Sequence, residues 1–131
     1  MMRFIFLLLL AVMLVTCSSS KNIKKENAFL YYGKTQCLGK CPVFDMYLFK
    51  DGKILYQGFK NVSKLGVHVY TIKIEDVEKI KKELEKIDFT TKEKLTRDLP
   101  NTTLMFQGKR LTIQQKDKVQ KLIFLLENIK I

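Results

Sequence analysis

From Ala28 onward the apolar positions fall into short runs separated by glycine-bearing or polar breaks, the layout of strands mixed with helices. Ala28–Tyr32 reads as a first strand that ends at Gly33. Val43–Lys50 and Lys53–Phe59 flank Asp51-Gly52, a strong two-residue hairpin signal because both residues tolerate positive φ. Such a loop sets Lys50 opposite Lys53, Phe49 opposite Ile54, Leu48 opposite Leu55 and Tyr47 opposite Tyr56. Strand alternation then gives one face Phe44, Met46, Leu48, Leu55 and Phe59. The other receives Val43, Tyr47, Phe49, Ile54 and Tyr56, with Asp45 at its edge. Both faces are largely apolar, so either both are covered or the face bearing Tyr47 and Tyr56 is left for a partner.

Val67–Ile74 predicts a further strand. Glu75–Asp88 predicts a helix, because Val77, Ile80, Leu84 and Ile87 recur on one face and Glu75–Lys79 and Glu78–Lys82 support it at i,i+4. Phe89–Pro100 reads as a loop, in which Pro100 stops extension and Asp98 or Asn101 bonds nearby backbone amides. Arg97 in that loop could instead orient an anion. Thr102–Gln107 and Lys109–Gln114 form a second hairpin with Gly108 at its turn. A closing helix, Asp117–Ile129, buries Val119, Leu122, Ile123, Leu126 and Ile129. The expected fold is α+β, a small antiparallel sheet with two helices packed on one face.

The N-terminus has a different character. Arg3 leads into the unbroken apolar run Phe4–Val15. As a helix this run spans roughly 18 Å, short of the ~30 Å hydrocarbon core, and the basic–apolar–small order reads as a secretory signal peptide. It ends in Leu14-Val15-Thr16-Cys17-Ser18, which resembles the lipobox of bacterial lipoproteins. The resemblance implies acylation of Cys17 and anchoring to membrane lipid, stable where two or three acyl chains are attached. The boundaries expected are a signal peptide at 1–16, a polar tether at 17–27 and one domain at 28–131. The location implied is the periplasmic side of a cell-envelope membrane. Lys21, Lys24 and Lys25 in the tether suit an anionic leaflet or plain solvent.

Composition narrows the chemistry. The chain has 131 residues, 24 Lys+Arg against 13 Asp+Glu, a net charge of +11, three Cys, one His and no Trp. That is one domain's length. Despite the charge, nucleic-acid binding is not expected, since a protein with the export signal read above meets little nucleic acid and the chain has no basic stripe interleaved with stacking aromatics. The sole His excludes a three-histidine zinc site. No His-Glu-x-x-His, Gly-x-Ser-x-Gly or Gly-x-Gly-x-x-Gly occurs, so no cofactor and no ordinary catalytic constellation is expected.

Cys37 and Cys41 carry the remaining chemistry, in Cys37-Leu38-Gly39-Lys40-Cys41-Pro42. In an oxidising compartment a pair points first to a disulfide, and Gly39 permits the tight turn it needs. Thiol–disulfide exchange is a second reading, although its usual spacing and activating helix are missing. A third is copper: Cys-x-x-x-Cys-Pro resembles the motif of envelope copper chaperones, with His68 as the third ligand for Cu(I).

The chain also resembles an uncharacterised bacterial domain family found in exported proteins and lipoproteins. The resemblance rests on Cys37-Leu38-Gly39-Lys40-Cys41-Pro42-Val43-Phe44, Asp51-Gly52 with Tyr56-Gln57-Gly58, Val62, Gly66, the Asp76–Phe89 helix and Asp98-Leu99-Pro100-Asn101-Thr102. It covers about residues 28–130 and implies export and a shared fold, with no activity attached. The function expected is a non-catalytic envelope lipoprotein that binds an envelope protein or ligand through Tyr47 and Tyr56. A redox or copper-handling protein using Cys37, Cys41 and His68 is the alternative.

Overall fold

The computed structural model describes residues 22–129. Cys17, the apolar run and the first part of the tether lie outside the described residues. Six strands form one sheet: β1 Leu30–Lys34, β2 Val43–Leu48, β3 Lys53–Lys60, β4 Gly66–Thr71, β5 Thr102–Phe106 and β6 Lys109–Ile113. Their spatial order is β4-β3-β2-β1-β5-β6, and every neighbouring pair is antiparallel. The helices are α1, Ile74–Leu84, and α2, Gln120–Glu127, the latter entered through a 3₁₀ turn at Asp117–Val119.

This corrects the expected architecture. The sheet is the body of the domain, and the helices are short, 11 and 8 residues, too small to form a two-helix layer over six strands. Cover over the buried side is shared with loops. Val119, Ile72, Ile87 and Phe89 fill it beside Ile80, Leu84, Leu122, Ile123 and Leu126. The Glu75–Asp88 periodicity overruns the real helix because Ile87 packs from beyond its end.

The first hairpin differs by one residue from the sequence reading, with large consequences. Phe49 N–H donates to Lys53 O, and Gly52 N–H donates to Phe49 O. The loop is therefore Lys50-Asp51-Gly52, a turn followed by Gly52 at φ +85°. Asp51 secures it by accepting from the Lys53 backbone N–H at 3.1 Å. Leu48 consequently pairs with Ile54, Tyr47 with Leu55 and Met46 with Tyr56. A slip of one residue exchanges the faces of a strand. Ile54 and Tyr56 thus join the core, while Leu55 moves to the side carrying Tyr47. The second hairpin turns at Gln107-Gly108, both at positive φ, so Gly108 stands at its turn.

The core lies on one face of the sheet: Leu30 and Tyr32 on β1, Met46 and Leu48 on β2, Ile54 and Tyr56 on β3, Leu104 and Phe106 on β5, Leu111 and Ile113 on β6. We call the opposite side the open face. At one end of the sheet Gln114 organises the loop before β5. Its Nε2 donates to Thr96 O, Leu99 O and Asn101 Oδ1, and its own N–H donates to Glu93. The segment is a loop as expected, but Asn101 Oδ1 accepts from the Gln114 side chain and not from a backbone amide; Arg97 is exposed.

Candidate functional site

Register and alternation set two rows of side chains on the open face. One runs Arg110, Met105, Tyr31, Tyr47, Leu55, Val69 across all six strands. The other runs Thr112, Thr103, Gly33, Asp45, Gln57, Val67 beside it. At the centre the Tyr31 hydroxyl donates to Asp45 Oδ1 at 2.7 Å. Gly33 makes this possible: a Cβ there would stand 2.2 Å from the Tyr31 hydroxyl oxygen and 2.7 Å from Cζ. The phenol lies across the bare backbone of its own strand to reach the next one. Tyr47 flanks it, ring centroids 5.1 Å apart, and Lys25 from the chain entering β1 sits 5.0 Å above the Tyr47 ring while bonding Gln57 Oε1.

Electrostatics fit that geometry. Burial first, then the hydrogen bond and negative charge of Asp45, hold the Tyr31 phenol protonated well above its ordinary range. Burial and Asp45 raise Tyr47 in the same direction. The cluster is a hydrogen-bonded platform in which the Asp45 carboxylate accepts from the Tyr31 hydroxyl. Toward the two sheet edges Val67 is 62% exposed, Val69 53% and Met105 41%, while Leu55 between them is buried.

Tyr47 and Tyr56 are not brought together. Tyr56 is on the core face, 7% exposed, against Phe44, with ring centroids 5.5 Å apart. Its place beside Tyr47 is taken by Tyr31, which the sequence places in the first strand without a role in the contact face. The available signal was an aromatic two residues before a glycine within one strand, which marks a close approach over bare backbone.

Cys37 and Cys41 are joined as a disulfide, Cα atoms 5.7 Å apart, in the loop between β1 and β2. One hydrogen bond braces the loop internally and one ties its far end to the β3–β4 turn. Gly39 N–H donates to Cys37 Sγ at 3.2 Å, and Asn61 Nδ2 donates to Cys41 O at 3.1 Å. Leu38, at its tip, is 81% exposed. No helix begins at either cysteine, so the dipole that activates exchange-type thiols is lacking. His68 lies on β4 between Tyr70 of the same strand and Tyr56 of β3, and its Nε2 is 2.7 Å from Leu65 O. Among the described residues no three His, Cys, Asp or Glu converge as metal ligands, so Cys37, Cys41 and His68 are not assembled into a site.

On the core side a cleft of about 250 Å³ opens between the sheet and α2, walled by Tyr32, Phe44, Tyr56 and Lys64. Of the charges about it, Glu127 is spent on Lys34, and Lys64 lies 5.1 Å above the Tyr70 ring. Lys34 pairs with Glu127 and lies 5.8 Å above both the Tyr32 and Phe44 rings, where a cationic guest would sit. Burial pushes the Glu127 carboxyl up, but Lys34 and Lys116 outweigh it and hold it below its ordinary value. The open face is therefore the stronger candidate.

No curated protein matches the sequence. A family model does, over residues 28–130, the span from the first strand through the closing helix. The chain belongs to the family described as domain of unknown function DUF6438.

Proposed function

We propose that the protein is a non-catalytic lipoprotein of the bacterial cell envelope, anchored through acylated Cys17, which binds another envelope component through the open face of its sheet. The observation that carries this reading is the fixed, part-exposed Tyr31–Asp45–Tyr47 platform with exposed Met105 on one side and exposed Val67 and Val69 on the other. Exposed apolar side chains grouped about a polar centre suit an interaction site. Tyrosines add large contact area at low entropic cost, and here their hydrogen bond and stacking fix them beforehand. The anchor adds locality: with Cys17 in a membrane, the open face stands within eight tether residues of the lipid, ~28 Å when extended.

The test is site-specific photo-crosslinking in cells, with the reactive side chain placed at Tyr47, at Met105, or at Lys82 on the exposed side of α1. The expected result is one discrete adduct from both open-face positions and none from Lys82. No adduct at either open-face position, or the same adduct from Lys82, refutes binding by this face. The intact mass of the membrane-extracted chain tests the anchor. It should begin at an acylated Cys17, and a chain retaining residues 1–16 refutes that part.

A further inference from the structure

The two edges of the sheet are built differently. β6, one edge, opens with Lys109 and Arg110, both exposed, the ordinary protection of an edge against pairing with another chain. β4, the other edge, has the sequence Gly-Val-His-Val-Tyr-Thr, six residues with no charge, no proline and no bulge against β3. The phase of its ladder follows from one bond. Ile72 N–H donates to Gly52 O, and bonded pairs alternate along an antiparallel ladder. Tyr70, His68 and Gly66 therefore bond inward to Ile54, Tyr56 and Gly58. Val67, Val69 and Thr71 turn their N–H and C=O groups outward. The bond from Phe49 N–H to Lys53 O fixes the opposite phase on the β2 side of β3, so both ladders agree.

Charge says what the edge would take. No carboxylate occurs between Asp51 and Glu75, a stretch that contains the whole of β3 and β4 and carries Lys53, Lys60, Lys64 and Lys73. Among the described residues Lys60, Lys64 and Lys73 take no part in any ion pair. A second copy paired antiparallel on β4 would bring Lys64 of each chain toward Lys73 of the other, which disfavours self-pairing. We propose that β4 is a strand-addition edge for an extended segment of a partner protein whose side chains alternate apolar and acidic. Main-chain bonds to Val67, Val69 and Thr71 supply affinity. The apolar side chains extend the open face beyond Val67 and Val69, and the acidic ones meet the lysines flanking the edge. This rests on the binding function proposed above and names the partner's chemistry.

The probe is a peptide of alternating valine and glutamate, six residues to match β4, added to the full chain in detergent micelles and read by amide hydrogen exchange. The peptide should slow exchange at Val67, Val69 and Thr71 by the factor one plus its concentration over Kd, and leave His68 and Tyr70 unchanged. The valine–lysine counterpart should have no effect. Val69→Pro removes an outward N–H and no bond to β3, so it should abolish the response while His68 and Tyr70 stay protected. If it unfolds the edge, Val69→Glu, which keeps the bonds to β3 and sets a carboxylate against the acidic peptide, serves the same purpose. Equal slowing by the lysine peptide, or no slowing by either, overturns the proposal. So does slowing without peptide that grows with protein concentration, which would place a second copy on the edge. Crosslinks from Tyr47 and Met105 that persist through a negative peptide result would sink strand addition alone and leave the binding function standing.

Discussion

Replacing Gly33 by alanine perturbs the open face at its tightest point. The new methyl would lie 2.2 Å from the Tyr31 hydroxyl and 3.1 Å from Asp45 Oδ1, so the phenol must swing away and the hydrogen bond to Asp45 is lost. A hydrogen bond to a charged acceptor contributes about 1.5–3 kcal/mol, and the low end applies here because water can reach both groups. Loss of the Tyr31–Tyr47 contact removes about 0.5–1.5 kcal/mol more. Opposing this, alanine reduces the entropy of the unfolded chain and returns about 0.4–1 kcal/mol. The net expectation is a loss of about 1–2 kcal/mol, read as a lower urea midpoint at constant slope. A second readout is specific to the mechanism: freed from Asp45 and partly from burial, Tyr31 should titrate closer to its ordinary value of 10.0, visible in the phenolate absorbance. Tyr31→Phe removes the same bond, so the double variant should lose less than the sum of the two. A neutral or stabilising Gly33→Ala with an unchanged phenolate titration would refute the account of why this strand carries a glycine.

Other outcomes follow from the same geometry. Tyr56→Ala should cost about 3–5 kcal/mol and Tyr47→Ala only about 1 kcal/mol, since one ring is core and the other is on the open face; equal losses in urea unfolding would contradict the register described. Gly52→Ala should cost at least about 2 kcal/mol, because the added Cβ needs a left-handed backbone and meets Ile72 O at 2.5 Å; an unchanged thermal midpoint would contradict that hairpin. Converting Cys37 and Cys41 to Ser should lower stability by no more than about 2 kcal/mol, the chain-entropy value for so small a loop, with the circular dichroism spectrum retained. Tyr31, Tyr32, Tyr47 and Tyr56 are all raised above 10.0, chiefly by burial. The unfolded chain therefore loses those protons first. Stability should be level up to about pH 9 and fall beyond pH 10 by up to about 1.4 kcal/mol per unit for each such tyrosine. A urea midpoint unchanged between about pH 8 and about pH 11 would refute this.

Local signals in the sequence carried as far as local physics decides the outcome. Gly108 marked its turn, the Val77–Ile80–Leu84 stripe marked the buried side of α1, and two nearby cysteines around Gly39 marked a short loop that closes on itself. Asp51-Gly52 shows the limit. The pair suits a two-residue loop and also a three-residue loop that ends on the glycine, and the choice turns on whether Lys50 joins the turn. That one residue decides whether Leu55 or the Ile54 and Tyr56 pair enters the core. The candidate site depends on a non-local fact as well. Tyr31 meets Asp45 only because β1 lies beside β2 in a fixed register, and Gly33 reads as a strand end until that neighbour is known. The dominance of the sheet was hidden for a similar reason: Ile87 and Ile129 continue helical periods while packing from outside the helices.

The position of β1 bears on how the chain can be made. It is the first strand in sequence and a central one in space, paired on one side with β2, which follows closely, and on the other with β5, where Leu30 meets Phe106. A chain emerging N-terminus first can assemble β1 through β4 as a simple meander. Until residues 102–106 arrive, that meander has two bare edges, and the β1 edge exposes Leu30 and Tyr32 with no lysine-rich turn to shield it. A chain delivered N-terminus first thus passes through a stage in which the future interior is the stickier rim. A pause in delivery before residues 102–106 follow would hold the half-sheet there, open to any neighbouring strand until its own β5 arrives.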